Sequence, residues 1–329
     1  MSLSLRDKQT LYHSLAQLVR TGVPFPTALD KLAGTQRGGG RRLIRAVRAG
    51  IQAGKTVGES FARQRPAVTQ LETSVISAVE KSGQLERGLS ELSKYFGALE
   101  QARASIIKRC AYPVFLLHFG IIVLNVPTYV LKSPEAFCRE TLTAFVFFYA
   151  AVAIIAMLAP LLRDAGAVSA AMDRLLSAVP LIGKVRRAFA LSRFCTVYGL
   201  QLDAGVNVID SLIAAGSASR SGMVRSAVDG AVPEVRGGAQ VGPLLAMSGA
   251  FPADFVQSLI VGEETGSLDD ELKRMSEELR QQALGTLEVL ADWIPKLIYV
   301  GIVLYLAYRI LSLVQTGIVQ PYQSVLKDL

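Results

Sequence analysis

Residues 49–56 read AGIQAGKT, which is close to a nucleotide-binding sequence. A phosphate-binding loop has the pattern G-x-x-x-x-G-K-[ST], and here Ala49 stands in place of the first glycine. Such a loop works because a strand delivers backbone N–H groups onto a helix N-terminus. The residues before Ala49, RRLIRAVR, have helical spacing instead. We therefore predict that a helix ends at Gly54, that Lys55 and Thr56 begin a connection, and that no nucleotide binds here.

Other residue types that support catalysis are few and scattered. No Cys-x-x-Cys or metal-type spacing occurs among the three cysteines, Cys110, Cys138 and Cys195. The two histidines, His13 and His118, fall in different segments of the topology predicted below. We expect His118, with Asn125 two turns further on, to form hydrogen bonds between helices. The sequence therefore predicts no enzymatic activity, no cofactor and no metal site.

The composition points to a membrane protein. Of 329 residues, 51% are hydrophobic and 19% are charged, whereas soluble domains average about 25% charged residues. Segments 111–131 and 141–162 contain no charged residue, and each reaches the roughly 20 residues needed to cross a bilayer. Segment 293–315 carries Lys296 and Arg309, each within reach of a membrane face. We predict three transmembrane helices at these positions.

The distribution of charge predicts the orientation of these spans. Residues 1–110 carry 18 Lys/Arg and 8 Asp/Glu, and residues 163–296 carry 13 and 16. Basic residues next to spans remain on the cytoplasmic side. The two large segments, 1–110 and 163–292, are therefore predicted to be cytoplasmic. The short loop 132–140 and the tail 316–329 are predicted to be periplasmic.

The chain contains an internal repeat with a constant offset over most of its length. Gly22-Val23 aligns with Gly205-Val206, and at the same offset the run EKSGQLE at 80–86 aligns with EETGSLD at 263–269. The first span aligns with the third. One residue is extra between Gly58 and Gly83, so the alignment slips by one there. We interpret 1–110 as repeat 1 and 163–292 as repeat 2, each followed by a membrane helix.

Both repeats have the spacing of helical bundles. Apolar residues recur at helical intervals in 8–21, 43–51, 68–79 and 85–99, and glycines or prolines separate these stretches. No convincing alternating strand pattern is present. The predicted fold is all-α: a polytopic membrane protein with two homologous cytoplasmic helical bundles and three transmembrane helices.

This pattern resembles the inner-membrane platform proteins of type II secretion systems and type IV pili, the GspF/PilC family. The resemblance is carried by three kinds of motif and covers about residues 7–316. The motifs are Gly22-Val23-Pro24 with Ala28-Leu29, Gly205-Val206 with Leu212, Gly58-Glu59-Ser60-Phe61, and the two runs Glu80–Leu85 and Val261–Asp269. One departure is Val79 before Glu80, where the family favours glycine.

The resemblance implies a non-enzymatic platform in the bacterial inner membrane with a cytoplasmic N-terminus. Such proteins dock a cytoplasmic secretion or pilus ATPase and couple its motion to the assembly of pilin-like subunits. Expected partners also include other inner-membrane components, membrane lipid and further copies of the chain. The alternative is a membrane transporter or channel subunit that acts as an oligomer. Nucleic acid is not an expected partner, because the basic stretches lack interleaved aromatic residues.

Two charged clusters are candidate contact surfaces for partners. One consists of acidic residues and glycines around the two repeated turns, with Glu80, Gly83 and Glu86 in repeat 1 and Glu263, Glu264, Gly266, Asp269 and Asp270 in repeat 2. Carboxylates at such turns can equally serve as helix caps, and a divalent-ion site is a further alternative. The other cluster is one helix face with Arg41, Arg45 and Arg48, which could face anionic lipid, an acidic partner or only solvent.

Overall fold

The computed structural model describes residues 3–81, 83–131, 133–163 and 180–314. All regular elements within these ranges are α-helices, so the all-α prediction is confirmed. Lys132 of the predicted loop, residues 164–179 of the 163–292 segment and the whole 316–329 tail lie outside the described residues.

Contacts divide the chain into two compact units. Unit 1 comprises residues 1–102 and 164–287, and unit 2 comprises residues 103–163 and 288–329. Unit 1 therefore contains most of both predicted repeats, and unit 2 contains the three predicted spans.

Repeat 1 forms six helices that run consecutively along the chain. They are α1 (Leu5–Arg20), α2 (Phe25–Thr35), α3 (Gly38–Gln52), α4 (Val57–Ala62), α5 (Gln70–Lys81) and α6 (Leu85–Leu131). Helix α7 (Pro134–Arg163) follows, so residues 134–140 of the predicted loop are helical.

Repeat 2 has the same order of helices. They are α8 (Pro180–Asp203), α9 (Val208–Ala218), α10 (Gly222–Arg236), α11 (Val241–Met247), α12 (Ala253–Thr265) and α13 (Leu268–Val314). Each corresponds to the helix seven places earlier in the chain, and α6 and α13 are both 47 residues long.

Glycines end the same helices in both repeats. Gly22 and Gly205, which are equivalent in the repeat, have φ of 81° and 72°. Only glycine adopts this left-handed conformation without steric cost. The next residue closes each end, because the N–H of Val23 donates to the carbonyl of Leu18 at 3.0 Å and that of Val206 repeats this bond in repeat 2. The backbone thus preserves the duplication.

Segment 49–56, which resembles a phosphate-binding loop, forms the end of one helix and the connection to the next, as predicted. Helix α3 precedes Gly54, whose φ of 79° ends it. Thr56 is then the N-cap of α4: its hydroxyl accepts from the N–H of Glu59, and the Glu59 carboxylate accepts from the N–H of Thr56. This reciprocal pair is a capping box. Thr56 therefore has a structural role as a helix cap.

Aromatic rings pack within the core of unit 1 in both repeats. In repeat 1 the ring of Tyr12 on α1 stacks on that of Phe96 on α6, with centroids 5.8 Å apart. In repeat 2 Phe194 on α8 packs edge-on against Phe251, with centroids 5.5 Å apart. All four rings are buried. The pair in repeat 1 holds α6 against α1, and the pair in repeat 2 holds the connection between α11 and α12 against α8.

Unit 2 exposes large apolar side chains over much of its surface. Phe115, Phe147 and Leu304, on α6, α7 and α13, are each at least 65% exposed. Among the described residues, one helix is long and apolar enough to cross a membrane, at 85–130. This stretch contains residues 111–130 of the predicted first span, 111–131, while the second and third spans remain predictions.

Candidate functional site

The most specific feature of the acidic motif is a carboxylate that binds a helix N-terminus. In repeat 1 the two oxygens of Glu80 accept from the N–H groups of Val57 and Gly58, at 2.6 and 2.8 Å. In repeat 2 the two oxygens of Glu263 accept from the N–H groups of Val241 and Gly242, at 2.7 and 2.9 Å. The first N–H groups of a helix have no partner within it, and a negative charge there is stabilised by the helix dipole.

A glycine at the second position of each capped helix permits this contact. A Cβ on Gly58 would meet the side chain of Ser77 on α5, and a Cβ on Gly242 would meet Cγ1 of Ile260 at 2.5 Å. The N-termini of α4 and α11 can therefore approach the neighbouring helix closely enough for the carboxylate to reach two backbone donors. This explains why the Gly58-Glu59 and Glu80 motifs occur together.

The third helical position at each of these N-termini is also accounted for. In α4 the capping box satisfies the N–H groups of Thr56 and Glu59. In α11 the corresponding third position is Pro243, which has no N–H. Gln240, the N-cap of α11, forms no side-chain capping bond, so Glu263 alone caps that helix.

The other candidate residues of the acidic turns lie beside this cap rather than in it. Gly83 and Gly266 have φ of 72° and 70° at the ends of α5 and α12. Glu264 is exposed at the end of α12. Glu86 lies in the first turn of α6, and Asp269 and Asp270 lie in the first turn of α13.

Further along α13, Arg274 bonds the carboxylate of Glu271 and lowers its pKa below the usual range. Among the described residues, no three His, Cys, Asp or Glu side chains are placed to hold one metal ion.

The basic candidates lie on α3, but two of the three form contacts within unit 1. The guanidinium of Arg41 donates to the carbonyl of Gln36 at 2.8 Å. That of Arg48 donates to the carboxylate of Asp30 at 2.8 Å, and this bond lowers the pKa of Asp30. Arg45 is exposed between them. The surface available to an anionic partner is therefore smaller than the sequence indicates.

A cavity of about 180 Å³ lies inside unit 1 where the repeats meet. Helices α5 and α6 line it from repeat 1, and α8 and α13 line it from repeat 2. Arg87 on α6 forms an ion pair with Asp203 on α8 beside it. Cys195 also lines the cavity, but burial raises the pKa of its thiol far above the usual range. A thiol kept protonated is a poor nucleophile, so this cysteine is not suited to catalysis.

The sequence analysis missed a buried charged cluster in repeat 1. The ammonium of Lys8 lies 2.6 Å from the carboxylate of Glu72, and the hydroxyl of Tyr12 donates to the other carboxylate oxygen at 2.5 Å. All three side chains are at most 7% exposed. Burial, followed by the charge of Glu72, raises the pKa of Tyr12. The cluster joins α1 to α5 and contributes to packing rather than to a surface site.

The polar residues of the predicted first span form the contacts expected of them. In unit 2, Nε2 of His118 on α6 lies 2.8 Å from the hydroxyl of Tyr149 on α7. The amide of Asn125 donates to the hydroxyl of Tyr305 on α13 at 3.3 Å. Both polar side chains thus form hydrogen bonds between helices.

A comparison with protein families identifies the repeated pattern. The sequence model of "Type II secretion system (T2SS), protein F" matches residues 11–130 and again 194–314, and the two starting points have the same offset as Gly22 and Gly205. The chain belongs to this family. The match spans both repeats and confirms the resemblance found from the motifs.

This chain has relatives that are named for two assembly machines. It is 24% identical over 315 residues to the type IV pilus assembly protein TapC of Aeromonas hydrophila. The aligned residues cover 89% of this chain and 76% of that relative. It is 27% identical over 293 residues to the type II secretion system protein F of Pseudomonas aeruginosa, covering 83% and 72%. The type IV pilus assembly protein PilC of Thermus thermophilus is 25% identical over 295 residues, covering 83% and 72%.

The departure of this chain from the family pattern at Val79 is compensated across the helix pair. In repeat 2 the residue before the capping glutamate is Gly262, and a Cβ there would meet Glu271 on α13 at 3.3 Å. In repeat 1 the equivalent contact has Val79 on α5 and Gly88 on α6, where a Cβ would meet the valine at 2.5 Å. The glycine of this contact lies on α12 in repeat 2 and on α6 in repeat 1. The two helices can therefore approach closely in both repeats. Glu80 can therefore cap α4 without a preceding glycine.

Proposed function

We propose that this chain is a non-enzymatic inner-membrane platform protein of a type II secretion or type IV pilus machine. In this role it docks the cytoplasmic assembly ATPase and couples the motion of that enzyme to the assembly of pilin-like subunits. The observation that supports this most strongly is that both repeats match the family of type II secretion system protein F. The names of the relatives fit both machines, so either is within the proposal.

The proposed topology places unit 1 in the cytoplasm and has three membrane helices, with the N-terminus inside. The charge-free stretches, the apolar surface of unit 2 and the excess of Lys/Arg in residues 1–110 support it. Helices α6 and α13 each begin in unit 1 and end in unit 2. At 1.5 Å per residue, each is roughly 70 Å long. A continuous helix offers a direct way to transmit a displacement, because packed helices shift as units.

The ATPase contact is assigned to the exposed acids of the repeat 2 turn, Glu264 and Asp270. Glu263 belongs to the cap of α11, so reversing its charge would disturb the fold as well as any docking. Glu264 and Asp270 are exposed. They can be changed without removing a backbone hydrogen bond described above.

The test is co-purification of the assembly ATPase of the same organism with the full chain from solubilised membranes. The Glu264→Lys/Asp270→Lys variant is expected to recover several-fold less ATPase than the parent, since two rim charges change sign. Glu234→Lys, an exposed acid on α10, is the matched control and is expected to retain binding. Equal recovery with all three proteins would refute the assigned contact. Normal secretion and piliation after deletion of the gene would refute the platform role itself.

A further inference from the structure

An ion pair in unit 2 joins two positions that the duplication makes equivalent. Arg109 on α6 pairs with Asp292 on α13, and its guanidinium also lies 3.9 Å from the carboxylate of Glu288. Arg109 and Asp292 are 183 residues apart, which is the offset that relates Gly22 to Gly205. The same position therefore carries a positive charge on the first long helix, α6, and a negative charge on the second, α13.

Arg109 can face its equivalent Asp292 because α6 and α13 run in parallel here. The second contact between them, Asn125 with Tyr305, lies further along both helices in the same direction. Where two like helices pair in parallel and in register, an interface position meets its own counterpart, as the a positions do in a parallel coiled coil. Arg109 and Asp292 are such counterparts. An α6 that paired with α6 of a second copy through this face would bring Arg109 against Arg109. An α13 pair would bring Asp292 against Asp292.

We propose that Arg109 and Asp292 specify which long helices pair, by favouring α6 with α13 and opposing the pairing of α6 with α6 of a second copy. The device is needed because α6 and α13 occupy equivalent places in two segments that match the same family model. Apolar packing alone discriminates poorly between the two partners, whereas like charges at facing positions penalise the wrong one. Glu288 adds to the preference, since its equivalent on α6 is Ser105, which carries no charge.

A second contact between the repeats has diverged in the same way. In unit 1, Arg87 pairs with Asp203. The equivalents of these residues in the opposite repeats are Asp270 and Arg20, so both charges are reversed. Opposite charges at equivalent positions therefore occur at more than one contact between the repeats.

The test is disulfide trapping of the full chain in native membranes. Ser105 occupies on α6 the position that Glu288 occupies on α13, so Ser105→Cys reports α6–α6 pairing between copies. The background carries Cys110→Ala and Cys138→Ser, while the buried Cys195 stays. The neutral variant Arg109→Gln/Asp292→Asn is expected to raise the oxidised dimer about two- to fivefold, the range for a partly exposed charge pair. The exchanged variant Arg109→Asp/Asp292→Arg is expected to return it to the parent level.

The intrahelical pair of Arg274 with Glu278 provides the matched control, since Arg274→Gln/Glu278→Gln removes charge without touching the α6–α13 contact. No increase is expected there. Equal dimer in the parent and the neutral variant would overturn the proposal. Equal dimer in the neutral and exchanged variants would also overturn it, because a purely structural role of the two side chains predicts that both disturb the pair.

Discussion

Removing the Glu263 carboxylate should destabilise unit 1 although the residue is only partly buried, near the end of α12. Its oxygens accept from two N–H groups at the start of α11, where Val241 is only 1% exposed. In Glu263→Gln the amide oxygen can still accept one of these bonds, but the NH₂ group would face the second donor. The loss of one charge-assisted bond costs about 1.5–3 kcal/mol. Loss of the negative charge at the helix N-terminus adds about 0.3–1 kcal/mol.

The expected destabilisation is therefore about 3 kcal/mol. For a domain of roughly 150–250 residues, 1 kcal/mol shifts Tm by about 2–4 °C, so the thermal midpoint should fall by about 6–12 °C. Circular dichroism of the detergent-solubilised chain measures this directly. Glu80→Gln should give a similar decrease, since the geometry in repeat 1 is the same.

Glu264→Gln is the matched control for this prediction. It is the adjacent residue, undergoes the same chemical change and is exposed. Substitutions at such surface sites usually change stability by less than about 0.5 kcal/mol. If Glu263→Gln and Glu264→Gln melted at the same temperature, the capping role derived from the hydrogen bonds would be wrong.

Three further predictions concern packing, a buried charge and pH. Gly88→Ala should lower stability by about 1–3 kcal/mol because its Cβ would meet Val79, and Val79→Ala should relieve part of this loss in a double-mutant cycle measured by thermal unfolding. Lys8→Met should cost about 3–5 kcal/mol in the same assay by leaving the buried Glu72 without its cation, whereas Lys8→Met/Glu72→Leu should cost less than Lys8→Met alone. The bond from Arg274 lowers the pKa of Glu271 in the folded state below 4.5. The contribution of this carboxylate to stability is therefore complete above pH 4.5 and is lost as the pH falls further. Acid unfolding of Glu271→Gln should accordingly depend less on pH in that range than acid unfolding of the parent.

The helix boundaries were predictable because glycine conformation is a local property. Gly22, Gly54 and Gly83 all follow apolar stretches with helical spacing, and each has positive φ. Similar reasoning rejected the phosphate loop, since the residues before Gly54 are patterned as a helix. The role of Glu263 could not be settled in this way. Its partners lie 21 and 22 residues earlier in the chain, and only the packing of α11 on α12 brings them together.

The buried cluster of repeat 1 left a signal that helical spacing could have revealed. Glu72 lies four residues after Val68 and three before Val75, so it falls within the apolar stripe of α5. A charged residue within such a stripe indicates a buried partner. The identity of that partner was not predictable, because Lys8 is 64 residues away in sequence and lies on α1.

The two repeats show that side chains in contact have diverged together while the backbone has stayed the same. The positions equivalent to Lys8, Tyr12 and Glu72 are Leu191, Cys195 and Phe255, so a charged cluster in repeat 1 corresponds to a wholly apolar one in repeat 2. Each set is buried and internally matched. Placing Phe at position 72 alone would strand the ammonium of Lys8 in an apolar core, at a cost typical of a broken buried ion pair.

The charge exchange at Arg109 and Asp292 follows the same logic at the contact between the long helices. A substitution at one position is tolerated only when its facing residue changes to suit it, and the facing residue here belongs to the other repeat. Once the charges are opposite, neither repeat can substitute for the other: a chain made of two identical copies of repeat 1 would place Arg109 against its own equivalent. Divergence at this contact therefore makes the two repeats depend on each other. Each long helix now finds the opposite charge only on the long helix of the other repeat.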